Sequence, residues 1–216
     1  MNIGVLGTGM VGNAIATKLI SLGHHVMMGS RSADNEKAME WVKKSGELAS
    51  QGTFADTGAF GEILFNCTGG VHSIQVLESI PVDALKGKLL LDISNPLDFS
   101  QGMPPRLSVC NDDSIGEQIQ RTFPDVKVVK TLNTCNCDLM VNPGLLPENT
   151  DMFLCGNDED AKQQVLTILK DWFGWKRVLD LGDITMARGM EAFLPLWIRM
   201  WGALGTANFN IKIVQG

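Results

Sequence analysis

The first residues place the strongest constraint on the fold. The chain begins MNIGVLGTGMVG, so an apolar run over 2–7 leads directly into Gly7, Gly9 and Gly12. Glycines with G-x-G-x-x-G spacing between a strand and a helix allow a tight turn, approach of a pyrophosphate to the backbone, and close helix packing. The next stretch, MVGNAIATKLISLG, has helical apolar spacing and ends in a glycine. This start predicts a βαβ dinucleotide-binding unit, with a purely structural glycine turn as the alternative.

Short apolar runs alternate with amphipathic stretches along the rest of the chain, which is typical of a parallel sheet covered by helices on both faces. Strands are predicted at 2–7, 25–29, 62–68, 88–94, 127–133 and 151–156, with 178–182 as a candidate edge strand. Helices are predicted after the glycine turn, at 34–44, after His72, at 114–123 and after Asn157. A long last helix over 185–204 contains Pro195, so a kink near 191–195 is expected.

The pattern predicts an α/β fold: a Rossmann-type doubly wound, mainly parallel sheet with a small C-terminal helical addition. The chain of 216 residues has room for one such domain. We therefore expect an NADP-binding Rossmann-like domain over 1–183, and a C-terminal helical segment over 184–216 for dimerisation and the substrate pocket.

Composition excludes several kinds of partner. A formal net charge of -6 argues against nucleic acid, which requires a concentrated basic surface. The N-terminus lacks the basic region of a signal peptide, and the most apolar segment, 192–205, is short and interrupted by Arg199. We expect a cytoplasmic protein with no membrane partner. The five cysteines lack metal-site spacing and are interpreted as reduced thiols, so no metal site is predicted.

The end of the second predicted strand indicates which dinucleotide is bound. NAD-selective folds of this kind place a carboxylate there to accept the ribose hydroxyls, but this chain has Ser30, Arg31 and Ser32 after Gly29. A carboxylate would repel a 2′-phosphate, whereas an arginine can hold it with paired donors. The cofactor is therefore predicted to be NADP(H), with Lys37 as a second positive charge. The alternative is a surface arginine near a helix N-terminus.

Two further segments lie at predicted carboxyl ends of strands, where ligands bind in open α/β sheets. One contains Thr68, Gly69 and Gly70, whose glycines would let the backbone approach a nicotinamide ring. The other contains Asn95 and Pro96, which would form the opposite wall. For His72, the residues alone favour a helix-capping or hydrogen-bonded structural role over a ligand contact.

Several stretches together carry a family resemblance: GTGMVGNAIATKL, VMMGSRS, LDISNP and KVVKTLN, followed by LCGND and EAFLPLWIRMWGALG. In this order they resemble the NADPH-dependent coenzyme F420 reductases (F420:NADP oxidoreductases). They are also similar to the cytosolic oxidoreductase domain of six-transmembrane metalloreductases. The resemblance implies NADP phosphate contacts at Thr8, Met10, Val11, Ser30, Arg31 and Lys37, and nicotinamide contacts near Thr68, His72 and Asn95. It also places a second substrate between Leu132, Asn133, Thr134 and the C-terminal helices, and implies that two chains pair through the C-terminal region as a homodimer.

The function expected from this resemblance is hydride transfer between NADP(H) and a small-molecule acceptor, either the deazaflavin coenzyme F420 or a flavin such as FMN or FAD. The rings carry this chemistry, so no catalytic acid or base is predicted. The chain contains no tyrosine, which excludes mechanisms with a Tyr/Lys proton donor pair. The alternatives are a non-catalytic NADP(H)-sensing module and a reductase of ferric, flavin, imine or carbonyl substrates. An apolar second pocket built after residue 127 would favour an enzyme.

Overall fold

The computed structural model describes residues 1–216, and its centre is an eight-stranded sheet. The strands are β1 (Asn2–Leu6), β2 (His25–Ser30), β3 (Ala49–Thr53), β4 (Ile63–Asn66), β5 (Leu89–Asp92), β6 (Leu97–Asp98), β7 (Arg106–Leu107), β8 (Lys127–Thr131), β9 (Asp151–Gly156) and β10 (Arg177–Asp180). Strands β6 and β7 form a separate antiparallel pair, and the other strands form the central sheet. The helices are α1 (Met10–Ser21), α2 (Glu36–Ser45), α3 (Phe54–Phe60), α4 (Gly70–Glu78), α5 (Val82–Leu85), α6 (Ile115–Thr122), α7 (Cys137–Val141), α8 (Glu159–Thr167), α9 (Ala187–Ala192) and α10 (Leu194–Leu204).

The sheet has the spatial order β3-β2-β1-β4-β5-β8-β9-β10. Its first six strands are parallel, whereas β9 is antiparallel to β8 and β10 is parallel to β9. The predicted doubly wound, mainly parallel sheet is confirmed, and 178–182 does contribute the edge strand β10. Because β1 lies between β2 and β4, the strand order reverses beside β1, and open α/β sheets bind ligands at such a point.

Apolar side chains cover both faces of the sheet. One buried cluster joins the strands to α1, α2, α7 and α8 through residues such as Ile15, Trp41, Leu139 and Val165. The other cluster includes Leu77 of α4 and Ile119 of α6. Since the central strands β1, β4 and β5 are covered on both sides, their sequences are continuous apolar runs.

Strands β3, β6 and β7 and helices α3, α5 and α7 were not predicted. Strand β3 and helix α3 lie between the second and third predicted strands. The β3 sequence, ASQGT, is short and polar because the strand pairs only with β2 at the sheet edge. It therefore lacks the apolar run by which a buried strand is detected.

The helix predicted over 185–204 is divided into two, and the kink expected near 191–195 is found at Phe193. A 3₁₀ turn at Ile184–Met186 leads into α9, and the helix is interrupted at Phe193 before α10 begins. Pro195 lies in the first turn of α10, where its missing N–H removes no helical hydrogen bond. The start of this segment also belongs to the main core, because Ile184, Ala187 and Met190 are buried in the second cluster.

The chain returns to the sheet after α10. The main-chain N–H of Asp151 donates to the carbonyl of Ile211 at 3.0 Å, and Asp151 Oδ2 accepts from the N–H of Ile213 at 2.5 Å. Arg177 completes this anchor, because its Nε lies 2.6 Å from Asp151 Oδ1. No helix combines the length and the hydropathy required to cross a bilayer. All five cysteines are free thiols, and of these Cys135 and Cys155 are buried.

Candidate functional site

The three glycines of the turn between β1 and α1 differ in whether the fold requires them. Gly7 has a φ of 117°, and a Cβ on it would lie 2.8 Å from the carbonyl oxygen of Cys67. A Cβ on Gly12 would lie 2.1 Å from the carbonyl oxygen of Gly7. Gly9 has an ordinary φ of -77°, and a Cβ there would meet no atom within 4 Å. The fold therefore requires Gly7 and Gly12 but does not require Gly9.

Two helices at this edge begin without a side-chain cap. Gly9 is the N-cap of α1 and Gly69 is the N-cap of α4, and neither first turn contains a carboxylate. By contrast, Asn35, Ser114 and Asp158 cap α2, α6 and α8 with their side chains. Because β1 and β4 are adjacent parallel strands, the two uncapped helices begin at the same edge of the sheet. Free N–H groups and the positive ends of helix dipoles make such an edge suitable for an anion.

A cavity of about 560 Å³ adjoins the start of α4. It is lined from the ends of β2, β3 and β4, from the start of α3 and from the length of α4, including Ser30, Arg31, Thr53, Phe54, Thr68, Gly69 and His72. Ser30 is buried, and its Oγ donates to the carbonyl of Ser32 at 2.5 Å. Ser32 donates its own hydroxyl hydrogen to Asp34, and Lys37 is exposed outside the lining. The structure thus brings Ser30 and Arg31 into one cavity, but not Ser32 and Lys37.

The contact of His72 with nicotinamide stays a prediction, but the structure shows which residues lie beside His72. His72 lines the cavity together with Arg31, whereas Asn95 and Pro96 do not. His72 is therefore grouped with the residues predicted to bind the 2′-phosphate, and the structure gives no sign of a purely internal capping role.

Gly70 packs against the protein's own main chain and does not face open space. Its N–H donates to the carbonyl oxygen of Asn95 at 3.0 Å, and a Cβ on Gly70 would lie 2.3 Å from that oxygen. The expectation that Gly70 admits a ligand to the backbone is therefore not supported, because Asn95 already fills that space. Gly69 differs, since the nearest atom to a Cβ there is His72 Cδ2 at 3.9 Å.

The three residues predicted to bind the second substrate follow β8 and are all buried. Leu132 has a φ of 63° and is fully enclosed, an uncommon conformation for a residue other than glycine. Asn133 and Thr134 are 1% and 2% exposed, and Asn133 Oδ1 and Thr134 Oγ1 have no hydrogen-bond partner. Their side chains are sealed beneath the surface, so the segment shapes the site chiefly through its constrained backbone.

A buried charged cluster lies below these strand ends and was not predicted. Lys130 Nζ lies 2.8 Å from Asp92 Oδ2, 2.7 Å from Glu191 Oε1 and 2.5 Å from the carbonyl of Ser94. Burial lowers the pKa of Lys130, but the attraction of Asp92 and Glu191 outweighs this effect and leaves the pKa above its ordinary value. The sequence signal was a lysine inside the apolar run KVVKT, where a lysine requires a partner.

The glycine turn, the uncapped helix starts and the arginine-lined cavity at the switch point define a Rossmann-fold nucleotide-binding protein. A family model described as "NADP oxidoreductase coenzyme F420-dependent" matches residues 2–96. The F420-dependent NADP reductase of Methanocaldococcus jannaschii is 30% identical over 209 residues, which cover 92% of this chain and 91% of that protein. The chain belongs to this family of NADP-dependent oxidoreductases.

Two other proteins extend the comparison. A crystal structure from Arthrobacter sp. FB24, described as that of a candidate F420-dependent NADP reductase, superposes with a TM-score of 0.95. It is 51% identical and covers 100% of both chains. Metalloreductase STEAP3 of Rattus norvegicus is 29% identical over 90% of this chain, but that match covers only 37% of the longer metalloreductase.

Proposed function

We propose that the protein binds NADP(H) at the sheet edge where α1 begins at Gly9 and α4 begins at Gly69, which we call the glycine edge. The protein would transfer a hydride between NADP(H) and a deazaflavin such as coenzyme F420, or a flavin-like acceptor. The single observation that carries the binding site is Gly9. Neither its φ nor its surroundings require glycine, and the space where a Cβ would stand is open. A ligand that approaches the backbone explains the residue, and a pyrophosphate at the uncapped start of α1 is such a ligand.

The remaining parts of the cofactor follow from the order of the strands. Ser30 and Arg31 at the end of β2 would bind the 2′-phosphate, and the cavity that they share with His72 has room for the adenosine. The nicotinamide would then lie on the other side of β1, near Thr68, Asn95 and the constrained backbone at Leu132. In support, Asn95 and Asn133 hold the ends of β5 and β8 together by two hydrogen bonds.

Bound NADP(H) would supply the hydride donor or acceptor, and the protein's residues would orient the ring and exclude water. No side chain is assigned as a catalytic acid or base. Lys130, Asp92 and Glu191 are titratable groups near the strand ends, but they are buried and their hydrogen bonds are made to one another and to neighbouring groups of the protein. Their arrangement suits support of the site rather than proton transfer to a ligand.

The acceptor is tested by following NADPH oxidation by absorbance with a panel of coenzyme F420, FMN, FAD, a ferric chelate and a cyclic imine. Turnover with coenzyme F420 is the expected result, since relatives in the family carry that activity in their names. Turnover with flavin or ferric chelate alone would replace the deazaflavin by a metalloreductase-type acceptor. Tight NADPH binding without any turnover would favour a sensor and overturn the proposed reaction.

We also propose that α10 pairs two copies of the chain. Leu196, Trp201 and Leu204 are 56%, 44% and 58% exposed on this helix, and only Leu194 of the helix is buried. An apolar helix that the single chain leaves uncovered gains free energy by burying this surface against another chain. Arg199 is the one charged residue on the helix, so the proposed surface is almost entirely apolar.

A further inference from the structure

We infer that Lys130 is a positioning residue, which holds the two loops beneath the nicotinamide end of the site through one buried ion cluster. The cluster consists of Asp92, Lys130 and Glu191. This inference rests on the proposed NADP(H) site and concerns how that site is kept in shape. None of the three residues is proposed to touch the cofactor.

The first loop is fixed at Ser94, directly before Asn95. Lys130 Nζ donates to the carbonyl of Ser94 at 2.5 Å. Asp92 Oδ1 accepts from both the N–H and the hydroxyl of Ser94, at 3.2 and 2.7 Å. The cluster therefore restrains the main chain and the side chain of the residue that leads into Asn95 and Pro96, so movement of Lys130 would move this wall.

The second loop is fixed through α9. Glu191 accepts from the N–H groups of Ile115 and Gly116, which ties α9 to the start of α6. The neighbouring carbonyl of Met190 accepts from Asn133 Nδ2 at 3.1 Å. Because Glu191 also binds Lys130, the loop after β8 and the loop after β5 are fastened to the same ammonium group.

The cluster also reaches the cofactor side of the site. Asp92 Oδ1 accepts from Asn66 Nδ2 at 2.8 Å, and Asn66 Oδ1 accepts from the hydroxyl of Thr68 at 2.6 Å. Thr68 lines the cavity. A continuous set of polar contacts thus connects a cavity residue to α9, which is distant from Thr68 in the sequence.

Stability alone does not explain such a cluster. Buried ion pairs are expensive to desolvate, and well-packed apolar side chains often replace them at no loss. A second lysine in the chain provides a comparison: Lys162 is also nearly buried and lies 2.8 Å from Glu159 and 2.9 Å from Asp180. That group joins α8 to β10 and has no contact with the glycine edge. Comparing the two lysines therefore separates the loss of a buried ion pair in general from its loss beside the proposed site.

The test compares Lys130→Met with the matched control Lys162→Met. NADPH at saturating protein is observed by the fluorescence lifetime of its dihydronicotinamide, which lengthens when the ring is immobilised. Binding of 2′-phospho-ADP-ribose, which lacks nicotinamide, is measured by calorimetry. We expect the wild type and Lys162→Met to lengthen the lifetime at least twofold over free NADPH, and Lys130→Met to lose at least half of that increase. The dissociation constant of 2′-phospho-ADP-ribose should remain within twofold in all three proteins.

An unchanged lifetime in Lys130→Met would overturn the inference while leaving the proposed NADP(H) site intact. A wild type that binds neither ligand would overturn the site and the inference together. Should Lys130→Met not fold, Glu191→Gln provides the same test, because it removes one charge from the cluster and turns an amide donor toward either Lys130 or the N–H of Ile115. A lifetime in Glu191→Gln equal to that of the wild type would then count against positioning.

Discussion

Asn95 and Asn133 exchange two hydrogen bonds across the ends of β5 and β8. Asn95 Nδ2 donates to the carbonyl of Asn133 at 3.0 Å, and Asn133 Nδ2 donates to Asn95 Oδ1 at 2.9 Å. Main-chain carbonyls can only accept, so the carbonyls of Asn133 and Met190 fix the orientation of both side-chain amides. The pair therefore functions only with an amide donor at position 133.

Asn133→Asp is expected to destabilise the fold, because a carboxylate would face the oxygens of Asn95 and Met190 with no hydrogen to donate. Loss of these bonds and burial of the unpaired oxygens should lower the free energy of unfolding by about 3 kcal/mol. Urea unfolding at pH 7 measures the change. Asn208→Asp is the control, since this exposed side chain acts as an acceptor and keeps an oxygen after substitution. Equal stability of the two variants would contradict the role of the pair.

Gly9→Ala and Gly12→Ala are expected to separate binding from folding. The methyl group added by Gly9→Ala would enter open space, so the stability of this variant should stay within about 1 kcal/mol of the wild type. NADPH affinity should fall at least tenfold, because the methyl group blocks approach to the backbone. The methyl group added by Gly12→Ala would meet the Gly7 carbonyl, so that variant should unfold at lower urea. Calorimetric titration with NADPH and urea unfolding distinguish these outcomes, and unaltered affinity in Gly9→Ala would remove the main support for the site.

Arg31→Asp is expected to reverse the cofactor preference. The new carboxylate would repel the 2′-phosphate, so affinity for NADPH should fall at least tenfold relative to NADH. Parallel titrations of both cofactors give the ratio directly. Lys37→Asp makes the same charge change at an exposed position outside the cavity lining, and its effect should be clearly smaller. If the two variants changed the ratio equally, the net charge of the protein rather than the cavity would set the preference.

Leu196→Glu is expected to convert a dimer into a monomer without unfolding it. Leu196 is exposed in the single chain, so glutamate there costs little internally but would place a charge within the proposed interface. Sedimentation equilibrium should give a two-chain mass for the wild type and 23.5 kDa for the variant. Met39→Glu alters an exposed apolar residue on α2 and should leave the mass unchanged. A monomeric wild type would contradict pairing through α10.

Asp113 is expected to stabilise the fold at neutral pH, and this contribution to the free energy of unfolding is expected to decrease as the pH becomes acidic. The hydrogen bonds from Arg121 hold the pKa of the Asp113 carboxyl well below its usual range, although partial burial opposes this. A folded-state pKa below the unfolded value gives stability that is present above about pH 4 and is lost as pH falls. Asp113→Asn should therefore lower the free energy of unfolding at pH 7 more than at pH 3. Urea unfolding at both pH values tests this, and a deficit that grew toward acid pH would show the wrong sign.

Much of the fold was predictable because its information is local. The central strands are apolar runs, and the glycine turn follows the first of them. Helix α6, Ile115–Thr122, also lies within the helix predicted at 114–123. Strand β3 escaped prediction because an edge strand buries little, whereas the interruption at Phe193 falls in the range where Pro195 predicted a kink.

A site residue was predictable only where the local sequence of a single segment indicates its role. Arg31 stands where a strand must end, so its place beside the cavity could be anticipated. The cluster of Asp92, Lys130 and Glu191 could not, because its three members come from distant segments that only the folded chain brings together. The sealing of Leu132 and Asn133 likewise depends on packing contributed by later residues, including the carbonyl of Met190.

The open space at Gly9 has a consequence for how proteins of this shape diverge. Because the fold does not need this glycine, one substitution could erase nucleotide binding in a descendant and leave its architecture intact. Such a descendant would keep Gly7 and Gly12 and would still superpose on its cofactor-binding ancestors. If the pyrophosphate binds as proposed, the residue at this one position marks inherited chemistry among sequences of this shape, whereas the two flanking glycines mark inherited structure.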